Sequence, residues 1–314
     1  MNRRAFAAIP AGLFATFAAI VPTAARTAMT AGRNPLPAGS RNRADGIAAS
    51  SGAELIDAEI PARDGAMLRA WLFRLRAASG RAVIILHGIG DTRNGVLGHA
   101  QFLLTHGYHV LVADVRAQGE SGGELMTYGV LEADDTKQWA GWIEERTGAR
   151  DVFGLGESLG AGIMIQAAAG ETPLRAAVAE SPFSSFRDAA YLRIGQAMGA
   201  GEGLGRVVGA PLVPAMIAWA RMRYGIDLDR ASPKDAVRGV RIPLPVIHGL
   251  ADENLPIEHA RRIAEAAVNR VEYWEVPEGR HTGAYSIAPA EFTRRVLGLF
   301  DRAAAASGGR AMRH

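Results

Sequence analysis

The sequence predicts an α/β protein in which a mostly parallel β-sheet carries helices on both faces. Strand-like and helix-like segments alternate from residue 82 to residue 303, and this alternation is typical of parallel sheets covered by helices. The strand-like run at 82–86 (AVIIL) is entirely apolar, which indicates burial on both of its faces. With 314 residues, of which 48% are hydrophobic, the chain is long enough for one large domain.

The predicted elements begin with an antiparallel hairpin at an edge of the sheet. Residues 55–60 and 67–75 are strand-like runs, and the turn-forming sequence Ala62-Arg63-Asp64-Gly65 lies between them. The later strands are predicted at 82–86, 108–113, 152–155, 174–179, 243–247 and 271–276, and the helices at 96–105, 131–146, 159–169, 257–267 and 289–303. The interval 182–240 has apolar and aromatic residues at helical spacing. It predicts a small helical cap that either overhangs a site or only covers the surface.

The first 31 residues have the features of a targeting segment. The pair Arg3-Arg4 precedes an apolar stretch at 5–21, and Thr23-Ala24-Ala25 offers a small-residue cleavage site. The pair and the two residues after it resemble a bacterial twin-arginine export signal, although Asn2 stands where serine or threonine is usual. The sequence therefore favours a signal peptide and a protein exported by that machinery, periplasmic or secreted. The alternative is an uncleaved membrane anchor at 5–21.

Two other segments lack hydrophobic periodicity. Residues 32–52 are rich in Ala, Gly, Arg, Asn and Pro, a composition that predicts a disordered linker. A disordered tail is predicted at 304–314. The globular domain is accordingly expected at 53–303.

The composition excludes several classes of site. The chain contains no cysteine, which excludes disulfides, a thiol nucleophile and thiolate metal ligands. The net charge is +3, and basic residues never form a run interleaved with aromatics, so no nucleic-acid partner is expected. His99, His106 and His109 match none of the common zinc-site motifs. No metal or cofactor is predicted, and a membrane is expected to matter only if the N-terminal segment stays uncleaved.

Gly156-Glu157-Ser158-Leu159-Gly160 joins a predicted strand to a predicted helix in a G-x-S-x-G pattern. A serine on such a sharp turn adopts a strained backbone, and only small residues two positions away leave room for it. The turn places the Ser158 hydroxyl at a helix N-terminus, where N–H groups favour developing negative charge. The pattern alone suits a capping serine in a glycine-rich turn equally well, so it needs support from the other strand ends.

Reactive groups in open parallel sheets gather beyond the carboxyl ends of the strands. Asp252 and His281 follow the last two predicted strands, and Ser158 follows an earlier one. The chain therefore presents serine, aspartate and histidine in that order, each after a strand.

From residue 53 to residue 303 the chain resembles an α/β-hydrolase, because these three residues match that fold in order and in strand context. The resemblance implies that Ser158 is the nucleophile, that His281 acts as general base and then as general acid, and that Asp252 orients the imidazole. It also implies that the backbone N–H groups of Ile89 and Leu159 hold the oxyanion.

Three further segments resemble the serine aminopeptidase and dipeptidyl-peptidase-like hydrolases. They are residues 114–121 (DVRAQGES), 180–183 (ESPF) and 247–256 (IHGLADENLP). The sequence departs from this group at Ala117, where glycine is usual, and at Arg280, beside the histidine. Neither departure removes a catalytic group, and Arg280 is a candidate for favouring anionic substrates.

These features predict a metal-independent serine hydrolase that cleaves an ester, thioester or amide bond in a small molecule or peptide. An esterase with a small acyl substrate is favoured, because the predicted cap is short and partly apolar. The alternative is a peptidase, and an aminopeptidase would need a carboxylate for the substrate ammonium. The candidates for that carboxylate are Asp188, Glu202, Asp227 and Asp229. The same fold also supports acyl transfer, cofactor-free peroxidation and non-catalytic binding.

Overall fold

An eight-stranded sheet lies at the centre of the computed structural model, which describes residues 19–77, 80–269 and 271–311. The strands are β1 (Ala53–Pro61), β2 (Met67–Leu75), β3 (Arg81–Leu86), β4 (His109–Ala113), β5 (Asp151–Glu157), β6 (Leu174–Glu180), β7 (Val246–Gly249) and β8 (Tyr273–Val276). Their order across the sheet is β1-β2-β4-β3-β5-β6-β7-β8. The pairs β1–β2 and β2–β4 are antiparallel, and the other neighbours are parallel. The predicted class, a mostly parallel sheet with an antiparallel N-terminal hairpin, is confirmed.

Helices cover both faces of this sheet. They are α1 (residues 19–30), α2 (Ser40–Ser50), α3 (Leu97–Thr105), α4 (Glu132–Thr147), α5 (Leu159–Ala168), α6 (Phe186–Ala197), α7 (Glu202–Gly209), α8 (Leu212–Tyr224), α9 (Pro233–Ala236), α10 (Glu258–Ala266), α11 (Ala284–Ile287) and α12 (Pro289–Ala311). Side chains of α4, α5 and α10 pack into the core on one face, and side chains of α2, α3 and α12 pack into the core on the other.

The alternation of side chains along β3 shows how one apolar run supplies both cores. Ile84 and Leu86 point into the core beneath α4 and α5, whereas Val83 and Ile85 point into the opposite core. Successive side chains of a strand face opposite sides of the sheet. All four are buried, because a core lies on each side. The continuous hydrophobic run is therefore the expected signature of a central parallel strand.

Two segments predicted to be disordered contain helix instead. Within the predicted linker at 32–52, α2 packs Ala44, Ile47 and Ala48 into the core formed with α3 and α12. These residues lie at i, i+3 and i+4, one helical face, but they are too few to stand out from the surrounding polar residues. At the other end, α12 continues to Ala311, beyond the predicted end of the domain at 303. Residues 1–18 of the predicted targeting segment lie outside the described residues.

The interval 182–240 contains α6, α7, α8 and α9, and it overhangs the carboxyl edge of the sheet. Phe186, Val213 and Met216 form a separate apolar cluster there, together with Ala25 and Met29 of α1. Among the described helices, no single one is long and apolar enough to cross a membrane. The bent pair α7 and α8, 64° apart, meets the length and composition criteria only when taken together.

Candidate active site

Ser158 lies on the turn between β5 and α5 and has a strained backbone. Its φ is 52° and its ψ is −110°, a region that few non-glycine residues adopt. A Cβ added at Gly156 would lie 2.3 Å from the carbonyl oxygen of Gly160, and one added at Gly160 would lie 2.3 Å from the carbonyl oxygen of Leu86. The spacing of the two glycines around the serine therefore follows from the packing of this turn against the end of β3.

The structure brings the three predicted triad residues together. His281 Nε2 lies 2.8 Å from Ser158 Oγ, and His281 Nδ1 lies 2.7 Å from Asp252 Oδ2. Asp252 lies in the loop after β7 and His281 in the loop after β8, so all three are at the carboxyl edge of the sheet. In this geometry the imidazole can accept the hydroxyl proton while the carboxylate holds the required tautomer.

Asp252 is held as a carboxylate by its hydrogen bonds. Burial on its own would raise the pKa of Asp252, but contacts with His248 and His281 and the N–H of Leu255 outweigh it and lower the pKa below its usual range. Oδ1 accepts the N–H groups of Asn254 and Leu255 at 3.0 and 2.9 Å. Oδ2 lies 3.3 Å from His248 Nε2. This negative charge is placed to stabilise an imidazolium at His281.

The two predicted oxyanion donors face the same space as the serine. Ile89 and Leu159 line the cavity into which Ser158 opens, and within the described ranges neither backbone N–H has a hydrogen-bond partner. The loop that carries Ile89 is fixed at the next residue, because Gln118 Oε1 accepts the N–H of Gly90 at 3.2 Å. Two free donors beside a nucleophile suit an oxyanion.

The segment at 114–121 supports the loop after β3 and stays outside the cavity. Asp114 accepts the backbone N–H of Arg93 and one guanidinium N–H of the same residue, each at 2.7 Å. His87 is fully buried, its Nε2 accepts the N–H of Val115 at 3.1 Å, and burial lowers its pKa. His87 is therefore neutral and structural. The buried His248 is also structural, since its Nε2 lies 2.7 Å from the carbonyl oxygen of Leu255.

Sequence reasoning missed two residues that tie the histidine loop to the sheet. Glu180 Oε1 accepts the N–H of Ala284 at 2.8 Å, and Ser181 Oγ accepts the N–H of Thr282 at 3.2 Å. Both N–H groups lie within three residues of His281. The signal in the sequence is the segment 180–183 (ESPF), whose resemblance to related hydrolases indicates no structural role by itself.

Glu180 also belongs to a buried group of titratable side chains close to Ser158. It pairs in register with Glu157 on β5, and His99 Nδ1 lies 3.1 Å from Glu157 Oε1. Burial raises the pKa of Glu180 to about 7 and that of Glu157 well above its usual value, and it lowers the pKa of His99 to about 4. Protonation of these two carboxyl groups therefore reduces the negative charge of the Glu157–Glu180 pair. Among the described residues these three could also hold a metal ion, since their ligand atoms lie within 4.8 Å of one another.

The cavity beside Ser158 has a volume of about 470 Å³ and is lined mostly by apolar side chains. Its roof comes from the cap, including Phe186 and Met216, and one wall comes from α1, including Ala28. Arg193 is the charged side chain at this cavity among the described residues. A volume of this order is typical of sites for small organic ligands.

None of the four candidate carboxylates for an aminopeptidase lines this cavity. Asp188 is buried and paired with Arg206 and Lys234, and Glu202 is paired with Arg206 and Arg262. Asp227 and Asp229 pair with Arg221 and Arg187. Arg280 is exposed and lies outside the residues that line the cavity.

Comparison with known proteins places the chain among hydrolases. The family model described as X-Pro dipeptidyl-peptidase (S15 family) matches residues 42–210. The uncharacterized protein YqkD of Bacillus subtilis is 26% identical over 222 residues, which are 70% of this chain and 70% of that protein. The lysophosphatidylserine lipase ABHD12 of Mus musculus is 36% identical over 126 residues, 36% of this chain, but the match spans only 30% of the lipase.

A solved structure shows the same fold. The esterase Pf2001 of Pyrococcus furiosus superposes with a TM-score of 0.66 and 23% identity, covering 87% of this chain and 98% of the esterase. The α/β-hydrolase fold expected from the sequence is therefore confirmed, with the eight-stranded, mostly parallel sheet described above.

Proposed function

Because the chain belongs to the X-Pro dipeptidyl-peptidase (S15) family of the α/β-hydrolases, we propose that it is a serine hydrolase of carboxylic esters that forms an acyl-enzyme on Ser158. The observation that carries this proposal is the hydrogen-bonded Ser158–His281–Asp252 arrangement at one end of an apolar cavity. An apolar acyl group fits such a cavity, because burial of apolar surface against its mostly apolar lining is favourable.

The reaction begins when Ser158 Oγ attacks the acyl carbon and its proton moves to His281 Nε2. Asp252, buried and ionised, stabilises the imidazolium that forms. The N–H groups of Leu159 and Ile89 receive the negative oxygen of the tetrahedral intermediate. His281 then gives its proton to the leaving alcohol, the ester C–O bond breaks, and the acyl group remains on Ser158. Water, deprotonated by His281, releases the acid by the reverse sequence.

An ester is favoured over a peptide substrate by the lining of the cavity. An aminopeptidase must pair the substrate ammonium with a carboxylate, because a buried unpaired charge is costly. Among the residues that line the cavity in the described ranges there is no aspartate or glutamate, and the four candidates are paired with cations elsewhere. Two proteins similar to this chain are described as an esterase and a lipase, which supports an ester substrate.

The proposal is tested by labelling with a fluorophosphonate probe and by turnover of matched substrates. We expect the wild type to label and to hydrolyse p-nitrophenyl esters, and Ser158→Ala to lose the label and at least about 10⁴-fold in kcat. Ser50→Ala on α2, at an exposed position that does not line the cavity, is the control and should behave as wild type. Preferential turnover of alanyl-prolyl p-nitroanilide would favour the peptidase instead. A wild type that neither labels nor turns over any ester would overturn the proposal.

A further inference from the structure

The segment at 24–34, here called the N-terminal wall, overlaps the predicted targeting segment and packs against the rest of the domain. Ala25 and Met29 on α1 are fully buried, and they pack in one apolar cluster with Phe186, Val213 and Met216 of the cap. A segment destined for removal would leave that apolar surface of the cap uncovered.

Backbone groups of the N-terminal wall are hydrogen-bonded to residues about a hundred positions away. The Tyr128 hydroxyl donates to the carbonyl oxygen of Ala28 at 2.9 Å, and the N–H of Met126 donates to that of Met29 at 2.8 Å. The Arg33 guanidinium donates to the carbonyl oxygen of Ser121 at 2.8 Å. These bonds fix the position of the wall against the hydrolase domain rather than leaving it as a leader in contact with solvent.

The wall also contacts the loop that carries the proposed oxyanion donor Ile89. Gln118 donates from Nε2 to the carbonyl oxygen of Ala31 at 3.1 Å while its Oε1 accepts the N–H of Gly90. Asn34 donates to the carbonyl oxygen of Gly90 at 2.7 Å. The backbones approach so closely that a Cβ added at Gly32 would lie 2.7 Å from the nitrogen of Gly90.

Four side chains of the wall face the cavity that holds Ser158. They are Ala24, Thr27, Ala28 and Ala31. All four are small, so the cavity extends towards α1, and any larger side chain at these positions would shorten it. Removal of residues 1–31 as an export signal would take away all four and open this side of the cavity to water.

We propose that the N-terminal wall is a specificity-determining part of the enzyme, retained in the working protein, and that it sets the length of acyl chain the cavity accepts. This inference rests on the proposed ester hydrolysis. The small side chains of the wall give room to the distal end of an apolar acyl chain, while its contacts with Gly90 and Gln118 hold the oxyanion loop.

The test is the chain-length profile of kcat/KM on p-nitrophenyl esters from acetate to dodecanoate. In Ala28→Phe the ring takes the space of at least two methylenes, each worth about fourfold in affinity, so the ratio of dodecanoate to acetate turnover should fall about fifteenfold. Thr23→Phe, a similar enlargement at an exposed position that does not line the cavity, should leave the profile unchanged. Ala31→Leu gives a smaller shift in the same direction and serves if Ala28→Phe does not fold.

The outcomes separate this inference from the proposed function. If the wild type turns over no ester and takes no fluorophosphonate label, the proposed function is wrong and the inference falls with it. If the wild type is an esterase but folded Ala28→Phe and Ala31→Leu keep its chain-length profile, only the inference is overturned. The same holds if a chain lacking residues 1–34 folds and retains the wild-type profile.

Discussion

Glu180→Gln is expected to change how the stability of the protein depends on pH. Glu180 is 1% exposed, stands opposite Glu157 in the sheet register, and lies near His248 and Asp252. Burial raises its pKa from 4.5 to about 7. The folded state therefore keeps this proton to a higher pH than the unfolded state does. The stability that the proton contributes is complete below about pH 4.5 and is lost as the pH rises through about 7.

The size of the effect follows from the two pKa values. Between pH 5 and pH 8 the linkage relation gives a loss of roughly 2 to 3 kcal/mol in the free energy of unfolding for a group with these values. For a chain of this length the entropy of unfolding is roughly 0.6 kcal/mol/K, so the loss corresponds to about 4 °C in Tm. Glutamine cannot ionise, yet its Oε1 can still accept the N–H of Ala284 that Glu180 accepts at 2.8 Å.

Urea unfolding of the wild type and of Glu180→Gln at pH 5, 6, 7 and 8 measures this difference. We expect the variant to gain roughly 2 to 3 kcal/mol relative to the wild type from the lowest to the highest pH. Glu171→Gln, at an exposed position, is the matched control and should run parallel to the wild type. Parallel curves for Glu180→Gln as well would show that Glu180 ionises with an ordinary pKa, and the argument from burial would be refuted.

Three other substitutions test the geometry of the site and its turns, and a fourth, in α4, is a control. Asp252→Asn should lower kcat on a p-nitrophenyl ester about 10⁴-fold, because the imidazolium loses its partner at 2.7 Å; a loss below tenfold would contradict that role. Gly160→Ala should lower the free energy of unfolding, measured in urea, by more than about 3 kcal/mol, since its Cβ would lie 2.3 Å from the backbone oxygen of Leu86. The control, Gly141→Ala, has open space around it in α4 and should raise the free energy of unfolding by up to about 1 kcal/mol. Ala117→Gly should change stability by less than about 1 kcal/mol, because relief of a φ of 56° is offset by a lost buried methyl and a more flexible unfolded chain; a gain above about 2 kcal/mol would show that the strain dominates.

The sequence was sufficient for the sheet because its central strands are buried on both faces. A run such as Val83–Ile84–Ile85 is typical of a strand that is buried on both faces. The neighbouring helices follow from the alternation of strand-like and helix-like segments along the chain. The grouping of Ser158, Asp252 and His281 was predictable for a related reason. Parallel strands place their carboxyl ends on one edge, so residues 123 apart in sequence come within 2.8 Å at Ser158 and His281.

The helices α1 and α2 were not among the predicted helices, and tertiary contacts stabilise both. The apolar residues of α1, such as Ala25 and Met29, are equally compatible with a signal sequence, a membrane anchor and a helix packed on protein. In the structure, Ala25 and Met29 pack against Phe186 and Met216. In α2, three small apolar residues suffice because a core already formed by α3 and α12 receives them.

The features of the site that were not predicted are those in which the local rules are broken. The strands β5 and β6 each end in a glutamate that is followed by a serine, and both serines, Ser158 and Ser181, have a φ of 52°. Because the strands pair in register, the two glutamates stand directly opposite each other, an arrangement that would be repulsive if both were ionised. Backbone strain and buried acidic side chains at one point lower the stability of the fold. Such features cluster at functional sites, where the protein depends on them. Here the first serine lies against His281, and the second holds the loop that carries His281, so the two turns together position both partners of the proposed proton transfer.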